Sequence, residues 1–270
     1  MKILEAVRFE SELVAGGSTR PWLVLVADSD GELSKYIVKL FTEKNNIQQK
    51  AVAKEVFGNL LAREFDLPVA DFGLINFSDD FIKTLPEEVG ATLQDKDQRL
   101  KFGSSFKADM TIVDTNILRN SLKSYDIGTI FAFDNLVLNL DRGGFRNKPN
   151  LLANDKHFLL IDHEQIFPFA DDAQYDVVKL DFRSNPPYYQ YQKHLLFPII
   201  QKMRNEEKQG IFDTFHESLA KFDINCLDEA AALLRQNDIP ICNLDSIKHY
   251  LSITKSNAAA FCSFLNTLIV

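Results

Sequence analysis

The stretch that decides the fold spans residues 131–169 and reads FAFDNLVLNLDRGGFRNKPNLLANDKHFLLIDHEQIFPF. Its pattern predicts an amphipathic helix, a polar loop and a β-hairpin, in that order. Asp141 begins the polar loop and Asp162 directly follows the last strand, with Asn147 and Asn150 between them. Phosphoryl transfer needs one carboxylate to orient a hydroxyl, and an amide with a second carboxylate to hold Mg²⁺ on the phosphates. The spacing therefore points to phosphoryl transfer.

Composition sets the broad class of the protein. The chain has 270 residues, of which 46% are hydrophobic and 25% charged, as in an ordinary globular protein of one large or two small domains. A net charge of -8 argues against non-specific binding to nucleic acid or to an anionic membrane. We therefore expect neither a membrane nor a nucleic acid as a direct partner.

The cysteines and the N-terminus indicate the compartment. Three cysteines occur without a CxxC pair, so we expect buried thiols in a reducing environment rather than a zinc site or a disulfide framework. The first residues, MKILEAVRFESE, contain no long apolar run, and no later run is long enough to span a bilayer. The expected location is the cytoplasm.

Periodicity divides the chain into a strand-rich and a helix-rich part. Strands with tight turns are predicted up to residue 41, a helix over 48–65, a strand over 69–77 and a polar surface connection over 78–101. Further helices are predicted over 126–140, 194–204, 208–222, 227–236 and 244–268. The prediction is an α+β fold with an N-terminal domain, 1–105, that carries strands and one helix, and a helical C-terminal domain, 106–270.

Two charged residues of the first part are candidates for a phosphate site. Lys39 lies in the apolar run Ile37–Leu40, and a buried lysine needs an anionic partner. That partner can be a phosphate together with Glu55 of the next helix. The alternatives are a lysine that points to solvent from an alternating strand, which the strand alone favours, and a Glu55 on a solvated helix face. The triplet at 71–73, Asp-Phe-Gly, lies too early in the chain to bind metal and is expected in the first sheet.

The loop at residues 16–19, Gly-Gly-Ser-Thr, can present backbone N–H groups to phosphates. It matches neither a Walker A sequence nor GxGxxG, and its alternative is an ordinary turn. The central aspartates have similar alternatives: Asp141 can belong to the polar end of a helix, and Asp162 to a surface turn. The residues occur in the order Lys, Glu, Asp, Asn, Asp. To reject the functional interpretation, the non-functional alternative would have to hold for every one of them at once, so the pattern favours the functional interpretation.

The central stretch resembles the HipA-like kinase family. That family shows N-x-D-R, then N-P-N-L-L, then I-D-H, which here are matched by NLDR, NKPNLL and IDHE. Its glycine-containing loop and ATP lysine are matched by residues 16–21 and 36–39, and its helix glutamate and the following Leu-Pro-Val by Glu55 and residues 67–69. The resemblance covers roughly residues 16–169. It implies a two-lobed, protein-kinase-like fold that binds Mg²⁺-ATP in the cleft.

The resemblance also assigns roles to single residues. It implies that Lys39 holds the α- and β-phosphates and pairs with Glu55, that Asp141 is the catalytic base, and that Asp162 is the main metal ligand. Asn150 is the second metal ligand when the Asn-Leu-Leu match sets the register. Asn147 is its alternative, because the loop at 143–149 is longer than usual. ATP-binding residues would be Lys39 and the four loop residues Gly16, Gly17, Ser18 and Thr19.

Three hypotheses about activity follow. The first is an ATP-dependent Ser/Thr protein kinase with Ser18 and Thr19 as autophosphorylation sites, because phosphate there would repel the phosphates of ATP. Its partners would be a protein substrate and, for a member of a toxin–antitoxin pair, an antitoxin-like protein. The second is a kinase of a lipid headgroup or small molecule, which the net charge disfavours. The third is a non-catalytic nucleotide-binding or interaction module.

Overall fold

The computed structural model describes residues 1–13, 20–113, 126–143, 148–171 and 180–270. The described residues form a strand-rich N-terminal region followed by a mainly helical C-terminal region. The predicted mixed α+β class is therefore confirmed. The predicted boundary at residue 105 stays a prediction.

The strands of the first region close into a barrel. Its described strands are Lys2–Glu12 (β1), Trp22–Ala27 (β2), Leu33–Val38 (β3), Phe72–Asn76 (β4) and Lys101–Ser105 (β5). They follow one another around the barrel as β1-β2-β3-β5-β4, and β1 closes it by running parallel to β4. In β2, Trp22, Val24 and Val26 alternate with less buried residues, so they fill the interior. The Asp-Phe-Gly triplet enters this sheet at Phe72, as predicted.

The first region contains more helices than the single one predicted from 48 to 65. The described helices are Glu43–Gln49 (α1), Ala51–Glu64 (α2), Asp79–Lys83 (α3) and Glu87–Ala91 (α4). Thr42 caps α1 in a capping box with Asn45, and Lys50 separates α1 from α2 with a φ of 52°. Ser78 caps α3 by accepting a hydrogen bond from the backbone N–H of Phe81. Helices α1 and α3 are polar and form with capping side chains rather than through an apolar stripe, so periodicity did not reveal them.

Two hydrophobic cores hold the described residues together. The smaller core fills the barrel and includes Trp22 and Val38. The larger core joins α2 to the C-terminal helices, and Phe57 and Leu61 of α2 are fully buried in it. Burial of large apolar side chains is the main favourable contribution to folding, about 1.5–3 kcal/mol for each. Helix α2 is therefore fixed between the barrel and the second region.

The central stretch forms the predicted helix and hairpin, but the prediction that this helix is amphipathic is wrong. Helix α5 spans Ile127–Leu136, begins at the cap Asp126 and is buried on every side. Strands β7 (Leu151–Ala153) and β8 (Phe158–Leu160) pair antiparallel, and β6 (Thr111–Ile112) adds a third strand beside β7. Helix α5 ends earlier than the predicted residue 140. The chain leaves the helix at Val137, and Leu138 adopts a left-handed φ of 51°.

The C-terminal region is helical, as predicted. Its described α-helices are Phe197–Gln201 (α6), Asn205–Lys208 (α7), Asp213–Lys221 (α8), Asp228–Gln236 (α9), Leu244–Ser256 (α10) and Ala258–Ile269 (α11). The helix predicted over 244–268 is divided at Asn257, whose side chain donates to the carbonyl of Ile253 and so competes with the helical backbone pattern. None of the described helices is both long and apolar enough to cross a bilayer.

Candidate functional site: a lysine among three carboxylates beside a polar loop

Lys39 follows the last residue of β3, and its backbone N–H still pairs with the carbonyl of Phe102. Its ammonium forms ion pairs with Glu55, with Asp162 at 2.5 Å and with Glu164 at 3.8 Å. The side chain is only 13% exposed, so the solvent-facing alternative is wrong. Burial lowers the pKa of Lys39, but the surrounding carboxylates more than offset that effect and raise it above its ordinary value. Lys39 therefore keeps its positive charge.

Glu55 is fully buried because α2 is covered on almost every side. The solvated-helix alternative is therefore wrong. Burial raises the pKa of the Glu55 carboxyl, although Lys39 opposes this shift. Helix α2 comes close to the segment after β8 because Gly58 has no side chain. A Cβ on Gly58 would lie 2.3 Å from the Cβ of His163.

Asp162 stands two residues beyond β8 and has a left-handed φ of 65°. Aspartate tolerates this conformation better than most residues do. Burial raises the pKa of its carboxyl, but the ammonium of Lys39 outweighs burial, and the pKa is lowered. An ionised carboxylate with one oxygen on Lys39 leaves its second oxygen for another cation.

The polar loop brings Asp141 and Asn150 together. The amide nitrogen of Asn150 donates to the backbone carbonyl of Asp141 at 3.1 Å and to its Oδ2 at 3.3 Å. Lys148 places its ammonium 3.5 Å from the same Oδ2. Because the amide nitrogen of Asn150 faces Asp141, its oxygen is the atom left for a metal ion. The residues Gly16, Gly17, Ser18, Thr19 and Asn147 lie outside the described residues, so their assigned roles stay predictions.

The donor atoms around Lys39 suit a hard divalent cation. One oxygen each from Glu55, Asp162 and Glu164 lies within 4.8 Å of the other two. Oxygen ligands of this kind are the ones that Mg²⁺ prefers. Burial, followed by the charges of Asp162 and Glu55, raises the pKa of Glu164 to about 7 even with Lys39 nearby. A cation at this position would relieve the repulsion among these carboxylates.

The sequence matches the family model described as HipA-like kinase over residues 10–216. This match covers well over half of the chain. The chain belongs to the HipA-like kinase family. The resemblance noted in the central stretch is thereby confirmed, and family membership supports a kinase. A search of curated proteins found no match.

Solved structures add a comparison of the fold of this HipA-like kinase. The crystal structure of a Helicobacter pylori proinflammatory kinase, CtkA, matches with a TM-score of 0.53 and 12% identity, over 96% of each chain. At this identity the likeness supports the kinase fold alone. The complete CtTel1 dimer and the FAT and kinase domain of CtTel1 match with TM-scores of 0.31 and 0.30 and identities of 12% and 14%. Each comparison covers 97% of this chain, and 12% and 22% of those chains respectively.

Two site residues of this HipA-like kinase were missed by sequence reasoning. Glu164 is two positions after Asp162, and its spacing alone could have suggested a shared site. Lys148 is the one lysine between Asp141 and Asn150, and a cation in such a loop is a signal for phosphate binding. Neither signal is strong without the fold, because the loop residues could equally face water.

His163, which stands between Asp162 and Glu164 in the sequence, is buried away from solvent. Its Nδ1 lies 3.4 Å from the amide nitrogen of Asn59 on α2. Burial lowers the pKa of the imidazole to about 3, so the ring is neutral. His163 therefore packs between the hairpin end and α2, and its contacts there are structural.

Proposed function

We propose that this chain is an ATP- and Mg²⁺-dependent kinase that phosphorylates serine or threonine hydroxyls of a protein substrate. The observation that carries the proposal is the position of Lys39. Its buried ammonium pairs at the same time with Glu55 of α2 and with Asp162 at the end of the hairpin. In kinases, phosphoryl transfer from ATP uses a lysine paired with a helix glutamate, beside an aspartate that binds Mg²⁺, and we assign these roles to Lys39, Glu55 and Asp162.

Lys39 and Glu55 would bind and orient the nucleotide. Lys39 keeps its positive charge at neutral pH, so its ammonium can bind oxygens of the α- and β-phosphates. Glu55 fixes the lysine side chain from the buried helix α2. The residues Gly16, Gly17, Ser18 and Thr19 are proposed to cover the phosphates with backbone N–H groups.

Asp141 is the proposed base. One of its carboxylate oxygens would accept the proton of the acceptor hydroxyl while the hydroxyl oxygen attacks the γ-phosphorus. The bond between the γ-phosphorus and the β–γ bridging oxygen breaks, and ADP leaves with the electron pair. Lys148 lies 3.5 Å from Asp141, where its charge would stabilise both the ionised base and the transferring phosphoryl group.

Asn150 and Asp162 are the residues proposed to hold Mg²⁺, with Asn147 as the alternative to Asn150. When bound, Mg²⁺ neutralises negative charge on the phosphates. The free amide oxygen of Asn150 and the second carboxylate oxygen of Asp162 are suitable donors.

The test compares wild type with Asp141→Asn and Asp162→Asn, and uses Asp155→Asn in the exposed β7–β8 turn as the matched control. Each protein is incubated with γ-labelled ATP and dephosphorylated casein, with Mg²⁺ or with EDTA. We expect Mg²⁺-dependent label on Ser or Thr of wild type or casein, a loss of at least ~100-fold in the two site variants, and wild-type activity in the control.

Two results would contradict the proposal. If no ATP binds with or without Mg²⁺, the chain is not a kinase of this kind. If the label is transferred to phosphoinositide vesicles or to a small-molecule acceptor offered in place of casein, and not to protein, the reaction class stands and the protein acceptor is wrong.

Ser18 and Thr19 are proposed autophosphorylation sites, from the resemblance alone. Intact mass after incubation with Mg²⁺-ATP would show added phosphate, and Ser18→Ala and Thr19→Ala would identify the residue. The resemblance also motivates the proposals of a cytoplasmic location and of an antitoxin-like partner. Recovery of a specific partner by co-purification of the full chain would test the second.

A further inference from the structure

A buried polar network lies beneath the loop that carries Asp141. The carboxylate of Asp134, in α5, accepts a hydrogen bond from the Nε of Arg142, from His194 Nε2 at 2.9 Å and from Asn139 Nδ2 at 2.9 Å. The four residues are between 0% and 4% exposed. Since a buried charge is costly unless it is paired and hydrogen-bonded, this arrangement stabilises one geometry of the network.

The hydrogen bonds fix the protonation states. The Nδ1 of His194 accepts the backbone N–H of Leu196 at 3.1 Å, so the ring proton is on Nε2 and points to Asp134. Burial raises the pKa of Asp134, but Arg142 and His194 more than offset it and lower the pKa to about 2. The network is therefore a charged Asp134–Arg142 pair braced by a hydrogen bond from His194.

Arg142 reaches from this network to both proposed metal-binding positions. Its Nη1 donates to the backbone carbonyl of Asn150 and lies 3.5 Å from the carbonyl of Ile161, which precedes Asp162. The side-chain oxygen of Asn139 accepts the backbone N–H of Asp141 at 3.1 Å. The network thus joins α5 to the backbone at the proposed base and at both proposed metal ligands.

The backbone at these positions needs support. Asn150 and Asp162 have φ values of 46° and 65°. The left-handed region is unfavourable for a residue with a side chain, although Asn and Asp tolerate it better than most. Such conformations persist when the surrounding contacts determine them. The guanidinium of Arg142 supplies a contact to the carbonyl of Asn150 itself and to the carbonyl directly before Asp162.

We propose that Arg142, anchored by Asp134 and His194, is a positioning residue that sets the relative placement of Asn150 and Asp162 for metal binding. This inference rests on the proposed function, because it assigns a purpose to the spacing of those two ligands. A lysine at 142 could still pair with Asp134. It lacks the planar, multi-donor guanidinium that reaches the two carbonyls at once.

The test is Arg142→Lys, with Arg99→Lys as the matched control. Arg99 also binds a carboxylate, that of Asp97, and a backbone carbonyl, that of Asp238 at 3.0 Å, and its hydrogen bonds among the described residues do not involve the loop that carries Asp141. Calorimetry measures the affinity for ATP with Mn²⁺ and for ATP with EDTA. We expect Arg142→Lys to weaken Mn²⁺-ATP binding about 10-fold or more, as changes behind metal ligands commonly do. The affinity for metal-free ATP should change less than about twofold, and Arg99→Lys should change neither of the two affinities.

Each outcome decides the inference. Equal affinities in Arg142→Lys and wild type overturn it, and so does an equal loss for both forms of ATP, which would indicate a general structural role. If Arg142→Lys does not fold, His194→Leu and His194→Gln replace it. If His194→Leu loses Mn²⁺-ATP binding selectively and His194→Gln restores it, the inference is supported. If both His194 variants bind Mn²⁺-ATP as the wild type does, it is overturned. If wild type does not bind ATP, the proposed function fails first.

Discussion

At the residue scale, the properties of the site depend on the balance of charges around Lys39. Lys39 offsets the charges of three carboxylates that lie close to one another in a largely buried space. The pKa of Asp162 is lowered and that of Glu164 is raised to about 7, so neighbouring acids respond in opposite directions. Burial is the largest effect on both acids. At Asp162 the charge and hydrogen bond of Lys39, 2.5 Å away, outweigh it, whereas at Glu164, 3.8 Å from the ammonium, they do not.

Glu164 should make stability depend on pH. Its pKa in the folded protein, about 7, lies above the ordinary 4.5, so the folded state holds the proton more tightly. The contribution of Glu164 to the free energy of unfolding is complete below about pH 4.5. It is lost as the pH rises through about 7, by at most about 3 kcal/mol. Urea unfolding in EDTA without nucleotide, between pH 5 and 8, should show this decline.

Glu164→Gln tests the assignment of that slope. The amide does not titrate, so the decline between pH 5 and 8 should become smaller. Glu88→Gln, on the exposed side of α4, is the control and should keep the wild-type slope. An identical slope in Glu164→Gln and wild type would show that another group titrates there.

Lys148 should affect turnover more than nucleotide affinity. Its ammonium contacts Asp141, the proposed base, rather than Glu55 or Lys39. We expect Lys148→Ala to lower kcat about 10- to 100-fold, as the loss of one electrostatic contact to a transition state does. The KM for ATP should change little. Lys156→Ala, in the exposed β7–β8 turn, should leave both constants unchanged. A rise in KM at constant kcat would assign Lys148 to nucleotide binding instead.

At the element scale, the placement of α2 determines the site. This helix carries Glu55 and lies against His163 through Gly58. A second ion pair, between Lys54 and Asp171 at 2.8 Å, connects the same helix to the segment after the hairpin. The contacts of Lys54 and Gly58 come from consecutive turns of α2 and hold the helix in place. A small shift of α2 would separate Glu55 from Lys39.

Gly58→Ala should therefore be costly despite the higher helix propensity of alanine. The added Cβ would lie 2.3 Å from the Cβ of His163, and overpacking of this kind costs about 1–3 kcal/mol. Gly90→Ala in α4 is the control. Its Cβ would be 4.0 Å from Leu85, and it should stabilise by up to about 1 kcal/mol. Urea unfolding and ATP affinity measure the effect. Equal stabilisation by both changes would show that α2 can move away without loss.

At the scale of the whole molecule, the two hydrophobic cores are coupled through the barrel wall. Phe72, Leu74 and Phe102 belong to barrel strands, yet they pack in the larger core with α2 and the C-terminal helices. The barrel interior is formed by other residues of the same strands, Ile75 among them. Since neighbouring residues of one strand contribute to both cores, loss of one core exposes the other.

The coupling predicts one unfolding transition. Trp22, the only tryptophan of the chain, is 1% exposed in the barrel interior, so its fluorescence reports on the smaller core. Far-ultraviolet circular dichroism reports mainly on helices. We expect the thermal midpoints from the two signals to coincide, as in a cooperative transition. The variant Trp22→Phe, followed by circular dichroism alone, controls for the probe. Separate midpoints would indicate that the barrel unfolds independently.

Local signals determined much of the fold. Alternation and turn residues indicated β1 to β3, and the hairpin β7–β8 followed from apolar runs on either side of Asn154. These elements depend on neighbours close in sequence, which is why one chain was sufficient to predict them. The errors in the predicted helices also come from local features, which hydrophobic periodicity does not show. Helices α1 and α3 depend on capping groups, and the break at Asn257 depends on one side chain.

By itself, the sequence determined the order of elements and the spacing of Asp141, Asn150 and Asp162, because these follow from short-range patterns. The tertiary structure decided which charges meet. Lys39 and Asp162 are 123 residues apart, and His194 is 60 residues from Asp134. Burial makes these pairs obligatory, since a charge removed from water needs a partner. That requirement arises only when α2, α5 and the hairpin pack together, and no window of the sequence contains all three.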